Sequence, residues 1–100
     1  MLDKLQSTDF SPFLNEPFLV HYGAPEPLVL TLIKVDEFPA RFHLDYAGRV
    51  GFSLLFRGPG HGYLIQHTYE IEHPKLGKLE LFMVPLGPDG EGMLYEIIFN

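Results

Sequence analysis

Two turn signals divide the last third of the chain, residues 66–100, into three stretches with alternating apolar side chains. In the first signal, residues 73–78, Pro74 has a fixed φ and Gly77 can adopt a positive φ, as a three-residue hairpin loop requires. In the second, residues 88–90, proline and an Asp-Gly pair favour a chain reversal. These features constrain the C-terminal part of the chain to a three-stranded antiparallel meander.

The same alternation predicts which residues of the meander face each other. If Gly77 closes a three-residue loop, alternate apolar side chains of each strand form one ladder, and such cross-strand pairs stabilise a sheet. A shift by one residue would place glutamates in that ladder, so the register is strongly constrained. The predicted pairs are Tyr69 with Met83, Ile71 with Leu81, His73 with Leu79, Met83 with Tyr95, Leu81 with Ile97 and Leu79 with Phe99.

The other face of the meander is mixed in character. It combines glutamates with large apolar residues, so we expect it to be half solvated and half covered. Residues 79–84 are apolar on both sides in their second half, which is typical of a sheet that curls or packs on another. The side chains on this face are Glu70, Glu72, Glu80, Glu96, Phe82, Val84, Leu94 and Ile98.

The most distinctive stretches of the sequence are residues 51–59, 68–77, 81–85 and 95–100, with residues 10–18 and 28–35 less so. In these stretches the chain resembles a family of small bacterial domains known as DUF6916, a domain of unknown function. These motifs contain no catalytic residue. The resemblance therefore implies a small bacterial β domain and implies no activity.

The residues before the meander supply further strands. Residues 17–22 are rich in β-forming side chains, and residues 28–35 are apolar on both faces, which predicts a buried strand. Alternation at residues 42–46 and 50–56 predicts two more strands. Closing the sheet would also protect the edge of the final strand.

Ahead of these strands, Ser7 or Thr8 is placed to cap a short helix that reaches Leu14, with Pro12 early in it. One hundred residues form a single core. We therefore predict a single β domain over residues 1–100. Its fold is all-β and mainly antiparallel: a small barrel or sandwich of about six or seven strands that ends in a three-stranded meander, with one short N-terminal helix.

The charge balance limits the partners. Seven basic and thirteen acidic residues give a formal net charge of −6. This argues against nucleic acid and against an anionic membrane, because both reward a basic face. The absence of cysteine excludes disulfides and thiolate chemistry. The N-terminal residues lack the apolar core of a secretion signal, so we expect a cytoplasmic protein.

Candidate catalytic residues are few. Residues 58–62 form a glycine-rich loop, but strand-like residues follow it instead of the helix that a phosphate site needs. His67 and His73 share one side of a strand about 20 Å apart, too far for one metal ion unless the strand bends. Ser53 lacks the second glycine of a nucleophile elbow. We therefore predict no catalytic residue, no metal site and no cofactor.

One segment is enriched in the residue types that dominate interface hot spots. The alternative is that its rings fill one end of the barrel, as a small domain needs. The candidate partner-binding residues are Phe38, Arg41, Phe42, His43 and Tyr46, together with His61 of the glycine-rich loop.

Three functions fit these features. The first is a non-enzymatic module that binds a protein partner or self-associates, because no catalytic constellation can be assembled. The second is a small-ligand-binding β-barrel whose interior or mouth holds an apolar or aromatic molecule. The third is a metal-dependent enzyme that uses a cluster of His61, His67, His73, Glu70 and Glu72.

Overall fold

The computed structural model describes residues 5–38, 51–60 and 64–99. Within these ranges, six strands close into a barrel in the order β1-β2-β3-β6-β5-β4, and every neighbouring pair is antiparallel. This confirms the prediction of an all-β fold and shows that the sheet forms a barrel and not a sandwich. The strands are β1 Pro17–His21, β2 Leu28–Glu37, β3 Phe52–Gly58, β4 His67–His73, β5 Gly77–Pro88 and β6 Met93–Phe99.

Closure depends on pairings between strands that are distant in the chain. β1 pairs with β4 through Val20 opposite Ile71, and β3 pairs with β6 through Leu54 opposite Ile97. All four of these side chains are buried. The barrel therefore has one interior, and the alternate residues of each strand fill it.

The inner face of the meander is the predicted one. Its ladder residues are at most 7% exposed, with the exception of the partly buried Leu79. The core continues through the upstream strands with Phe18, Val20, Leu30, Leu32, Phe52, Leu54 and Phe56. The predicted separation of inward and outward side chains is thus confirmed.

The predicted register of the meander is wrong by two residues at each hairpin. Tyr69 lies opposite Leu81, because His73 pairs with Gly77 and the loop consists of residues 74–76. Gly77 has the predicted positive φ of 78°, but it begins β5 instead of ending the loop. At the second hairpin Pro85 lies opposite Tyr95. A shift of two residues preserves the side-chain alternation, so the same residues still face the core.

The prediction that residues 28–35 are buried on both faces is also wrong. The strand exists and extends to Glu37, with Leu30 and Leu32 fully buried. On its other face Val29 is 49% exposed. A closed barrel buries only its interior, and the described residues form no second layer over the outside of β2.

The N-terminal segment closes one end of the barrel. The predicted short helical segment is present as two consecutive 3₁₀ turns, Ser7–Asp9 and Ser11–Phe13, and the residue at the N-cap of the first is Gln6, not Ser7 or Thr8. Phe10 joins the two turns and is 1% exposed. Its ring lies 5.9 Å from that of Phe52 and 5.5 Å from that of Phe99. Burial of this ring anchors the segment to the end of the barrel.

The opposite end is closed by hydrogen bonds to tyrosines. The backbone N–H of Leu64 donates to the Tyr95 hydroxyl over 3.0 Å, and the Tyr69 hydroxyl donates to the carbonyl of Ile65 over 2.6 Å. Burial, followed by the nearby Tyr95, raises the pKa of Tyr69. These contacts hold residues 64 and 65 across the mouth of the barrel.

Candidate functional site

The barrel interior is packed with apolar side chains beside Leu54, Ile71 and Leu81. An internal gap there has no volume that a water-sized sphere can enter. Ligand pockets are usually hundreds of cubic ångströms in size, about 300–1,000 Å³. This gap is therefore too small to hold a ligand.

His73, one of the histidines considered as a metal ligand, has both ring nitrogens engaged. It is 3% exposed, and its Nδ1 accepts from the backbone N–H of Lys75 over 3.1 Å. Nε2 lies 2.8 Å from Glu16 Oε1 and must be the donor in that contact, since Nδ1 is already an acceptor. The rings of Phe13 and Phe18 lie 4.4 and 4.7 Å from the imidazole. His73 therefore acts as a structural residue that joins the β4–β5 hairpin to the N-terminal segment.

A second histidine contact was not anticipated from the sequence. His21 Nε2 lies 2.8 Å from Glu72 Oε1 and 3.9 Å from Glu70 Oε2, and Lys78 Nζ lies 3.9 Å from that same Glu70 oxygen. The sequence analysis placed Glu70 and Glu72 on the outer face of the meander. It did not predict their proximity to His21, because that depends on the pairing of β1 with β4.

The metal hypothesis gains no support from these groups. Among residues 5–38, 51–60 and 64–99, no group of three or more His, Asp or Glu side chains is arranged to hold a metal ion. His67, at the start of β4, is exposed and contacts the ring of Tyr69 at 5.5 Å.

A shallow depression lies at the mouth of the barrel. It has a volume of about 400 Å³ and is lined by Tyr22, Leu64, Ile65, His67 and Tyr69. Ile65 is 68% exposed and Tyr22 is 44% exposed. The depression thus presents aromatic and aliphatic surface to solvent.

The outer face of β3, β6 and β5 carries a second apolar surface, which we call the apolar patch: Leu55, Phe82, Val84, Leu94 and Ile98. Phe82 is 51% exposed and Ile98 is 52% exposed. Phe82 lies two residues before Val84 on β5, and Ile98 lies two residues after Glu96 on β6. Because Val84 and Glu96 face each other on antiparallel strands, Phe82 and Ile98 lie at the same level of the barrel. Exposed apolar side chains that lie together on the outside of a barrel make this face a candidate site.

Glu96 lies within the apolar patch. Its cross-strand neighbours are Val84 on β5 and Leu55 on β3, and its outward neighbours along β6 are Leu94 and Ile98. All four of these neighbours are apolar, and the polar residues Ser53 and Arg57 lie diagonally across from Glu96 on β3. Among the described residues, none forms an ion pair with it.

The cations closest in register to the patch already have carboxylate partners. Lys34, opposite Leu55, lies 3.5 Å from Asp36. Arg57, opposite Leu94, donates from Nε and Nη2 to Asp89 Oδ2 over 3.0 and 2.6 Å. The Arg57 hydrogen bond, followed by that from the backbone N–H of Glu91, lowers the pKa of Asp89.

The Asp89 carboxylate also organises the β5–β6 turn. Its Oδ1 accepts from the backbone N–H groups of Glu91 and Gly92 over 2.9 and 3.0 Å. The reversal predicted at Pro88–Gly90 is confirmed, because β5 ends at Pro88 and β6 begins at Met93. The turn holds β5 and β6 together beside the patch.

Comparison with family models finds a match that covers almost the whole chain. The model described as Domain of unknown function (DUF6916) matches residues 5–99. The chain belongs to this family. A search of the curated proteins and a search of the solved structures each find no match.

Most of the partner-binding residues predicted from the sequence lie outside the described part of this DUF6916 domain. These are Arg41, Phe42, His43, Tyr46 and His61. Phe38 is described: it is half-buried, and its backbone N–H donates to the carbonyl of Gly51 over 2.8 Å.

The predicted partner-binding residues come from two segments of the sequence, and the described residues next to these segments lie at opposite ends of β3. Phe38 and Gly51 lie beside the first residue of β3, whereas Gly60 follows its last residue. A strand of seven residues separates these ends by about 20 Å. Leu55 of the apolar patch, in contrast, lies in the middle of β3 and was not selected from the sequence. Its outward position between the inward Leu54 and Phe56 was the available signal.

No helix among the described residues of this DUF6916 domain is long and apolar enough to cross a membrane.

Proposed function

We propose that this domain is a non-enzymatic protein-interaction or assembly module that binds a protein partner through the apolar patch. The observation that carries the proposal is the half-exposed state of Phe82 and Ile98 on the outside of a closed barrel. The filled interior and the engaged nitrogens of His73 favour a binding role over a catalytic one.

Binding at this patch has a clear physical driving force. Full burial of a Phe or Ile side chain contributes about 1.5–3 kcal/mol of favourable free energy. Phe82 and Ile98 are about half exposed, so a partner that covers them would gain about half of that amount from each. Aromatic residues also dominate interface hot spots. The barrel supports the patch on three paired strands, so little conformational entropy is lost when a partner binds.

The net charge of −6 and the scattered basic residues support a protein partner over nucleic acid or an anionic membrane. A bacterial, cytoplasmic setting completes the proposal. It is supported by the resemblance of the sequence motifs to small bacterial domains and is compatible with the absence of cysteine.

The test is a comparative capture experiment with folded variants. Phe82→Thr and Ile98→Thr keep β-forming residues in place and remove apolar area. Val29→Thr is the matched control, since Val29 is 49% exposed on β2, three strands away from β5 around the barrel. Immobilised wild type and the three variants are incubated with native lysate, and retained proteins are identified by mass spectrometry. We expect a retained protein that binds wild type and Val29→Thr but neither patch variant. Equal retention by all four proteins would contradict the role of the patch.

A second candidate function is the binding of a small aromatic or apolar molecule in the depression at the barrel mouth. Its volume of about 400 Å³ and its lining by Tyr22, Ile65 and Tyr69 favour this function. Titration of indole into ¹⁵N-labelled protein would test it. We expect shifts at residues 64–69 that weaken in Ile65→Thr and persist in Ile98→Thr, a control that is 52% exposed near the end of β6 farther from the mouth. Shifts confined to other residues would count against this site.

A further inference from the structure

We infer that the partner of the apolar patch is a different protein chain that places a lysine or arginine on Glu96 and surrounds this cation with apolar side chains. The inference rests on the proposed function and specifies the chemistry of the partner. It follows from the juxtaposition of one carboxylate with four apolar neighbours on the outer face of β3, β6 and β5.

An apolar partner alone would not fit this face. If a purely hydrocarbon surface covered the patch, Glu96 would lose water without gaining a partner, and burial of an unpaired charge is costly. A cation from the partner offsets that cost and forms a charge-assisted hydrogen bond in a site from which water is excluded. The flanking Phe82 and Ile98 supply the area that excludes water.

A second copy of this chain fits less well. In a two-fold contact centred on the patch, Glu96 of one copy would face Glu96 of the other, and like charges at an interface disfavour association. The described cations in register with the patch, Lys34 and Arg57, are occupied by Asp36 and Asp89. The geometry therefore favours a partner that brings its own positive charge.

The chemistry can be tested with a defined ligand before the partner is known. The test peptide is acetyl-leucyl-arginyl-phenylalanyl-amide, and its matched control replaces arginine by the neutral isostere citrulline. Each is titrated into ¹⁵N-labelled wild type, Glu96→Gln and Glu26→Gln. Glu26 lies in the exposed loop between β1 and β2, and its substitution changes the net charge by the same amount.

We expect the arginine peptide to shift the amides around Glu96, Phe82 and Ile98. Binding should weaken about threefold to tenfold with citrulline or with Glu96→Gln, and it should be unchanged with Glu26→Gln. Equal binding of the two peptides to wild type, or shifts that map elsewhere, would overturn the inference. Sedimentation equilibrium of the protein alone supplies a further check. A dimer that is lost in Phe82→Thr would identify a second copy as the occupant and would likewise overturn it.

Adding Glu96→Gln to the lysate capture separates the two proposals. If retention of a protein depends on Phe82 and on Glu96, both are supported. If it depends on Phe82 but not on Glu96, the interaction function stands and the cationic partner is excluded. If it depends on neither residue, both proposals fail.

Discussion

The imidazole of His73 donates from Nε2 to the carboxylate of Glu16, and the two atoms are 2.8 Å apart. The residues are 57 positions apart in the chain, so this contact ties the end of β4 to the segment that precedes β1. Lys75 holds the other nitrogen as an acceptor. The hydrogen bonds thus select one neutral tautomer of a buried histidine.

The first prediction concerns this contact. Glu16→Ala removes the acceptor for a buried N–H, and we expect the free energy of unfolding to fall by about 1–2 kcal/mol. Glu16→Gln keeps an acceptor oxygen and should lose less than half of that. Urea denaturation measures both, with Glu26→Ala as an exposed control. In ¹⁵N NMR spectra at neutral pH, the Nδ1 of His73 should have the shift of an unprotonated nitrogen. A protonated Nδ1 would show that the tautomer assignment is wrong.

The second prediction concerns acid stability. The Arg57 hydrogen bond lowers the pKa of Asp89 from its ordinary value of 3.8. Between the lowered pKa and 3.8 the unfolded state binds more protons than the folded state. The contribution of Asp89 to stability is therefore present above pH 3.8 and is lost as the pH falls through the lowered pKa.

Asp89→Asn should therefore be less stable than wild type at pH 7, and the difference should shrink as the pH falls towards 2. Arg57→Gln should produce a smaller change in the same direction, because the backbone N–H groups of Glu91 and Gly92 still stabilise the carboxylate. The double variant should lose less stability than the sum of the two single variants, because both substitutions remove the Arg57–Asp89 interaction. Urea titrations across this pH range provide the measurement. A pH-independent difference between wild type and Asp89→Asn would contradict the assignment.

The third prediction concerns a close backbone approach. A Cβ atom at Gly92 would lie against the carbonyl oxygen of Gly58 and 2.9 Å from Cγ of Arg57. Because backbone cannot move aside easily, Gly92→Ala should reduce the free energy of unfolding by about 2–3 kcal/mol. Gly60→Ala is the matched control, since its nearest contact, Cα of Gly92, is at an ordinary 3.6 Å. Thermal unfolding followed by circular dichroism compares the two. Similar melting temperatures for both variants would show that the turn adjusts.

The fourth prediction separates core from surface aromatic residues. Phe10 is 1% exposed against Phe52 and Phe99, whereas Phe82 is 51% exposed. Phe10→Ala should lower the free energy of unfolding by about 3–5 kcal/mol. If this variant does not fold, Phe10→Leu replaces it in the measurement, with an expected loss of about 1–2 kcal/mol. Phe82→Ala should cost less than about 1 kcal/mol, because half of its surface is already in water. A larger loss for Phe82 than for Phe10→Leu would show that Phe82 serves stability and not binding.

The alternation of side chains explains how far the sequence analysis reached. A strand presents successive side chains to opposite faces, so the inward position of Ile71, Leu81 and Ile97 was predictable from local sequence alone. The same rule placed Phe82 and Ile98 on the outer face. It did not predict the register, because pairing Tyr69 with Leu81 or with Met83 preserves the alternation equally well.

The sequence by itself determined the strands of the meander, its two reversals and the side on which each residue lies, because these depend on backbone preferences and a period of two residues. Only the tertiary structure decided which strands are neighbours. Glu96 lies between Val84 and Leu55, and His21 meets Glu72, because β3 pairs with β6 and β1 pairs with β4. These contacts join residues tens of positions apart, and barrel closure selects among pairings that local sequence leaves equivalent.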